Sequence, residues 1–541
     1  PDFPVARLVR QAAKMSISIP QDQPIRSRLF KFGECAHSLS PLILPLAIVI
    51  LWHLASHYDW LNSQVLPSPS VVWSSALDLA QQDLVASILI SLRRLVLGLT
   101  SGLLVGVLLG TLIGLSERAE RLFLPTFSAL AQVPTLAWIP LFMLWFGIEE
   151  TLKIVVVMKA VIVPMTFHTA MGVRDIPSRL QEAAAVLRLS PWARLRYLII
   201  PAMAPSVLAG CKTALGTAWS SLLAVELLAS SDGLGYLMVW GRQLFMLDIV
   251  LVCICVVAVI GIVMDRGIRW IDQHCIHWPQ PSALELKRRS LIGIENIEPW
   301  IIPVLMLTAW YAVSAAGAVN PNIIIHPNKV FITLWHGLTE GNMATSLAQS
   351  LRFSLIGLTV GGSFGIIVGV LLGMKQVVEH ACGPTLSVIR HVAIFAWIPL
   401  ITAWFGLGNT SKIAFIALAC FSPLYVATQT GIANLSMDLN EAARVLRLGL
   451  WHRMTKLILP GALSSIFSGL RVSLIYAWLA TIGAEYFITT TSGIGSYMIA
   501  AQQLFRMDDV MAAMILIGLT GAVIHKLGMK IEKLASRWRF K

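Results

Sequence analysis

Long apolar runs separated by short polar turns set the pattern of the chain. In the first half they cover roughly Pro41 to Ala55, Ile88 to Leu115, Leu122 to Phe146, Thr151 to Met171, Ala202 to Leu228 and Met246 to Trp270. A hydrocarbon core takes about 20 apolar residues per helical crossing, so these runs predict about six membrane helices in this half. Within the second run Gly98, Gly102, Gly106, Gly110 and Gly114 recur every four residues. That stripe predicts an interior helix approached closely by a neighbour, because small residues on one face let two backbones meet. Pro134, Pro140 and Pro164 interrupt the next two runs, which is tolerated where surrounding protein satisfies the freed backbone groups.

One polar and basic stretch stands out against this background. Gln181 to Pro205 reads QEAAAVLRLSPWARLRYLIIPAMAP, with Glu182, Ala183 and Ala184 at its head and Pro201 near its end. The pattern returns as NEAARVLRLGLWHRMTKLILPGAL, with Glu441, Ala442, Ala443 and Pro460; both separations, 441 − 182 and 460 − 201, are 259 residues. Ser91-Leu92-Arg93 likewise returns at Ser350, AWIPL at Ala137 returns at Ala396, and Trp145-Phe146-Gly147 returns at Trp404. Past Glu226 and Glu485 the offset becomes 260, because Gln243-Leu244-Phe245 matches Gln503-Leu504-Phe505, which places one inserted residue in a turn of the second copy. A fixed register over this length marks a duplicated structural unit.

The expected fold is therefore an all-α membrane protein of about 12 transmembrane helices in two six-helix repeats. An even number of crossings returns the chain to its starting side, so the repeats are parallel. The expected units are a basic arm over 1–40, which lacks the apolar core of a signal peptide, a first repeat over 41–271, a polar linker over 272–298 and a second repeat over 299–541.

Composition supports the class. Of 541 residues 56% are hydrophobic and only 13% charged, with a mean hydropathy of +0.75; soluble domains carry about 25% charged residues. The net charge of +13 gathers in the arm, the Arg118/Arg121 turn, both polar stretches, the linker and the tail from Lys526. All of these fall on one side, which the positive-inside rule makes cytoplasmic together with both termini. The charge thus needs no nucleic-acid partner. The seven cysteines form no CxxC pair and lie mostly in apolar runs, so neither a metal site nor a disulfide framework is expected.

Between Asp175 and Pro201, the apolar Leu180, Ala184, Leu187 and Trp192 suit short amphipathic helices whose face needs a cover. That cover is either the protein's own bundle and the lipid headgroups, or, since the stretch occurs twice, a two-fold partner docked on both copies.

Glu-Ala-Ala, a spacer and then Pro before the next span resembles the EAA loop of ABC importer permeases. With LPSPS at Leu66, AWIPL followed by WFG, and Glu226 followed by Gly233-Leu234-Gly235-Tyr236, the chain is similar to the type I permeases of nitrate, sulfonate, taurine and bicarbonate import, and resembles two such subunits fused. The resemblance implies that Glu182, Ala183, Ala184 and Arg188, with Glu441, Ala442, Ala443 and Arg447, couple to ATP-binding cassette subunits, and that an extracytoplasmic solute-binding protein delivers the solute. It also implies residence in a bacterial inner membrane, among lipids. The family has Gly where this chain has Arg188 and Arg447, so the turn is expected to be made differently, with Gly449 available in the second copy and Leu189-Ser190 in the first. No G-x-x-x-x-G-K-[ST] phosphate cradle occurs, so ATP and Mg belong to the partner and this chain is not itself the enzyme.

Lys212 and its counterpart Arg471 stand about ten residues into a span, roughly 15 Å deep. They suit an anionic solute, or else snorkel and brace neighbouring helices. Glu226 and Glu485 read as scaffolding, Arg93 and Arg352 as interfacial anchors, and Trp145 and Trp404 as packing or as part of the solute path. An ion-coupled secondary transporter and a non-transporting scaffold subunit are the rival readings. The first would keep carboxylates near the midplane, and neither needs matched polar loops.

Overall fold

The computed structural model describes residues 29–60, 62–275, 298–317, 324–435, 441, 445–447, 449–488 and 492–536. Among them every regular element is helical. The first half runs through α1 (Leu29–His57), α2 (Pro69–Gln81), α3 (Leu84–Leu115), α4 (Glu117–Ala131), α5 (Ile139–Phe146), α6 (Glu150–Arg174), α7 (Ser178–Val186), α8 (Pro191–Ala229), α9 (Leu234–Gln243) and α10 (Leu247–Cys275). The second runs through α11 (Glu298–Ala315), α12 (Pro327–Thr339), α13 (Met343–Met374), α14 (Gln376–His391), α15 (Ile398–Phe405), α16 (Asn409–Ala433), α17 (Trp451–Phe487), α18 (Ile494–Gln503) and α19 (Met507–Ser536). Eight described helices are long and apolar enough to cross a membrane, or ten if each of two bent pairs counts as one crossing. Pro41–His57 within α1 is a further, shorter apolar helix, and α11 holds the matching place in the second half.

The glycine stripe explains the tightest contact in each half. A Cβ added at Gly98, Gly102, Gly106, Gly110 or Gly114 would lie 2.5–2.7 Å from the Cβ of Val157, Val161, Met165, Thr169 or Val173 respectively. Two helices with matched four-residue steps thus mesh along their whole length, and at these five positions of α3 any Cβ would crowd α6. Gly369 and Gly373 stand in the same relation to Thr428 and Ile432 in the second half.

The bent pairs lie between the halves. α4 and the Thr135–Phe146 segment meet at 89°, and α14 and Ile394–Phe405 meet at 95°. Pro134 precedes the first turn of 3-10 helix and Ala393 the second, both with extended ψ. The bend therefore does not depend on proline. Pro140 and Pro399 then sit in the first turns of α5 and α15, where a missing N–H costs nothing, and Gly147 (φ +70°) and Gly406 (φ +75°) end those helices in the left-handed region.

The halves are interlocked. α1 packs on α14 of the second half, and α11 packs on α4 of the first. His391 Nε2 at the end of α14 lies 3.1 Å from Asp265 Oδ2 on α10. The extra residue of the second copy falls in the turn before α18, partly outside the described residues.

Candidate functional site: the paired elbows

The first polar stretch forms a helical elbow at one end of its bundle; of its counterpart, 441, 445–447 and the residues from 449 onward are described. α7 closes at Leu187 with a hydrogen-bonded cap in which Leu189 N donates to Ala184 O (3.1 Å) and Arg188 N donates to Ala185 O (3.0 Å). Such a cap places its turning residue in the left-handed region, where glycine is the usual occupant. Here Arg188 (φ +47°) takes it, and Arg447 (φ +45°) takes it in the second copy. The expectation of a different turn is thus corrected: the left-handed turn is kept, with arginine in place of glycine. Gly449 does not make it, having no positive φ. It stands where Ser190 stands in the first copy and accepts the first bond of the next helix from Arg453 N (2.9 Å). Ser190 adds a side-chain cap on Ala193 N.

The elbow is rooted by an apolar cluster of Val173, Ile176, Ile199 and Met203. Beyond that root only Ala184 turns inward and is buried. Glu182, Ala183, Arg188 and Glu441 are exposed, while Ala442 and Ala443 lie outside the described residues. The apolar residues between them are exposed too: Val186 82%, Leu187 70% and Trp192 69%, against Val445 82%, Leu446 70% and Trp451 76%. Among the described residues neither bundle covers these two matched knobs.

Beyond the elbow the chain passes without a break into the membrane. α8 is 39 residues long and α17 is 37, so each runs for more than 50 Å at about 1.5 Å per residue. Each contains one wide turn, Leu195–Ile199 and Met454–Ile458, closed by Ile200 N to Leu195 O and by Leu459 N to Met454 O. The wide turn comes directly before Pro201 and Pro460. A proline ring crowds the carbonyl four residues back, and an i→i+5 turn moves that carbonyl aside without breaking the helix.

The remaining sequence candidates fall at two levels. Lys212 Nζ is 2.6 Å from Asp272 Oδ2, and Arg471 Nη1 is 2.7 Å from Glu532 Oε2. Both cations are answered by a carboxylate on the last helix of their own half, and Asp272 lies inside α10 because that helix runs on to Cys275. At the opposite end, Trp404 Nε1 donates to Val65 O of the other half (3.0 Å), and Trp145 is half-exposed at the matching place. Near them Glu226 is fully buried and accepts from Ser91 Oγ (2.8 Å), Gly235 N (3.0 Å) and Arg94 Nη1 (2.9 Å). Glu485 accepts from Ser350 Oγ (2.6 Å) and Gly495 N (2.8 Å). Both carboxylates cap the short helix that comes next, and both adjoin a glycine with positive φ, Gly233 or Gly493, against which any Cβ would collide with the carboxylate. The buried cation of this cluster is Arg94, not the exposed Arg93. Its signal in the sequence was a second arginine inside an apolar run, but its equivalent is Phe353, and the matched pair in the repeats is Arg93 and Arg352.

Comparison with known proteins agrees with this geometry. The family described as binding-protein-dependent transport system inner membrane component matches residues 102–277 and again 361–537. The putative aliphatic sulfonates transport permease protein SsuC of Escherichia coli (strain K12) is 35% identical over 243 residues, covering 45% of this chain and 92% of that protein. SsuC of Bacillus subtilis (strain 168) is 32% identical over 240 residues, 44% of this chain and 86% of that protein. The nitrate import permease protein NrtB of Synechococcus elongatus is 32% identical over 273 residues, 47% of this chain and 96% of that protein. Each relative thus matches about half of this chain over nearly its own full length.

Proposed function

For a chain that belongs to the binding-protein-dependent transport system inner membrane component family and carries its unit twice, we propose that the two units form one translocation path for a small anion, driven by two ATP-binding cassette subunits docked on the two elbows. The observation that carries this reading is the pair of uncovered apolar knobs, Val186-Leu187-Trp192 and Val445-Leu446-Trp451, each at the end of a helix that runs unbroken through the membrane. An exposed apolar patch at matched positions is what a two-fold partner buries. Glu182 and Glu441, exposed beside the knobs, and Arg188 and Arg447 supply the charged rim of that interface. ATP and Mg bind in the partner; closure of its dimer draws the elbows together and swings α8 and α17 as rods.

In this reading the elbow face is cytoplasmic, as are both termini, and the solute-binding protein docks on the opposite face near Trp404 and Trp145. The solute class is taken from the sulfonates and nitrate named for the relatives. Lys212 and Arg471 lie toward the inner end of the path and Trp145 and Trp404 toward its outer end. The test is ATP hydrolysis and uptake in vesicles holding the chain with its cassette subunits and binding protein. Glu182→Lys with Glu441→Lys abolishes both while the membrane part still folds, because both positions are exposed. Undiminished stimulation of ATP hydrolysis in the double variant overturns the docking assignment.

A further inference from the structure

The bend between α4 and α5 holds a cation that the coupling scheme does not use. Lys159 stands nine residues into α6, about 14 Å along it, near the middle of a core about 30 Å thick. Its Nζ donates to Val133 O (3.0 Å) and Thr135 Oγ1 (3.2 Å) and lies 5.7 Å from the centre of the Trp138 ring. No carboxylate pairs with it among the described residues, unlike Lys212 and Arg471. An ammonium has three N–H donors, and these contacts use two. Beside it the Trp138 indole nitrogen is buried with no acceptor among the described residues.

The place is the junction of the two halves. A Cβ on Gly518 of α19 would lie 2.7 Å from Val133 Cγ2, and one on Gly521 would lie 3.1 Å from Gln132 O. A Cβ on Gly483 of α17 would lie 3.2 Å from Leu136 Cδ1. The bend carrying Val133, Thr135 and Trp138 is therefore pressed against the other half. Lys159 bonds both sides of the bend, yet the second half bends as sharply, at 95°, with Leu418 in the equivalent position. A charge placed in mid-membrane without a structural counterpart marks a function.

We propose that Lys159 is the cation that receives the transported anion midway across the membrane, with the Thr135 hydroxyl and the Trp138 indole N–H as neutral donors beside it. The inference rests on the reading of the chain as an anion importer and adds that the site belongs to the first half alone. When the halves part, the remaining N–H of Lys159 and the indole N–H turn toward an oxyanion oxygen, whose negative charge offsets the lysine's in a region of low dielectric.

The test uses the full complex in proteoliposomes, with labelled nitrate, taurine and bicarbonate as probes. Lys159→Met is expected to cut uptake about tenfold or more, the size of one lost charge-assisted contact, in a complex that still assembles with its cassette subunits. Lys159→Arg restores part of the uptake. Uptake by Lys159→Met within about twofold of the unmodified chain overturns the inference. Failure of the unmodified complex to import any probe overturns the importer reading, and this inference with it. If Lys159→Met does not assemble, Thr135→Val combined with Trp138→Phe decides: the apparent KM rises severalfold with the charge in place, and an unchanged KM overturns the assignment.

Discussion

Arg94 Nη1 donates to Glu226 Oε1 at 2.9 Å, with both side chains buried, at a point where the other half has Phe353. The same guanidinium pairs with Glu150 and Asp232, so one cation ties α3, α6, the end of α8 and the turn before α9. In the second half Lys412 does a smaller version of this work, donating to Ser492 O (2.7 Å) and lying over the Phe353 ring.

Removing one member of a buried, hydrogen-bonded ion pair leaves the other charge unanswered, at a cost of about 3–5 kcal/mol. Arg94→Ala is therefore expected to lower the Tm of the detergent-solubilised chain sharply and to reduce its yield. Phe353→Ala removes the ring beneath Lys412 and opens a gap, at a cost of about 3–5 kcal/mol at most, but Lys412 keeps its bond to Ser492 O. The substitution leaves Ser350 and Gly495 bonded to Glu485, so no buried carboxylate loses its donors. An Arg94→Ala variant as heat-stable as the unmodified chain would show that the cluster is dispensable.

The glycine stripe offers a comparison in which one methyl group is the only variable. Gly106→Ala puts a Cβ 2.5 Å from Met165 Cβ, and overpacking of this kind costs about 1–3 kcal/mol. Gly267 on α10 has nothing within 4 Å of an added Cβ, so Gly267→Ala gains helix propensity, about 1 kcal/mol at most. Thermal unfolding should move down for the first and stay level or rise for the second; a shared direction would refute the meshing of α3 and α6.

Much of this architecture is legible in the sequence. Duplication in strict register, the crossings and the elbows all derive from spacing and hydropathy, because a bilayer imposes helix length and leaves loops to carry charge. Single residues whose meaning depends on a partner far along the chain are not legible. Arg94 meets Glu226 across 132 positions, and Lys159 meets a bend 24–26 positions earlier. Neither has an equivalent in the other half, so the repeat pattern singles out neither. The backbone of Arg188 is hidden for a different reason: arginine in a left-handed turn violates local preference, and preference is what a sequence reading relies on.

That violation is itself testable. A non-glycine residue in the left-handed region costs roughly 1–2 kcal/mol, so Arg188→Gly and Arg447→Gly are each expected to relax the cap. Amide exchange at Leu189 should slow in Arg188→Gly. If the two arginines form the charged rim of a docking surface, the double variant also loses affinity for the cassette subunits even as its elbows become more stable. Faster exchange with unchanged affinity would remove both the strain and the contact.

The wide turns before Pro201 and Pro460 give the last expectation. An i→i+5 turn holds one residue more than an α-turn, so it sets how the elbow is rotated about the axis of α8 or α17. The proline is what favours the wide form, since its ring crowds an α-helical carbonyl four residues back. With Pro201→Ala and Pro460→Ala the ordinary turn becomes available. Conversion shifts the register by one residue, turning the elbow by about 100° and pushing it out by about 1.5 Å. The membrane ends of both rods stay fixed by residues such as Met203 and Ala462, which are buried, so the whole rotation appears at Trp192 and Trp451. The double variant should fold and reach the membrane, hydrolyse ATP with its cassette subunits, and move less solute for each ATP spent. Counting ATP hydrolysed per labelled solute imported measures this directly. An unchanged ratio would mean that the rods do not carry the stroke.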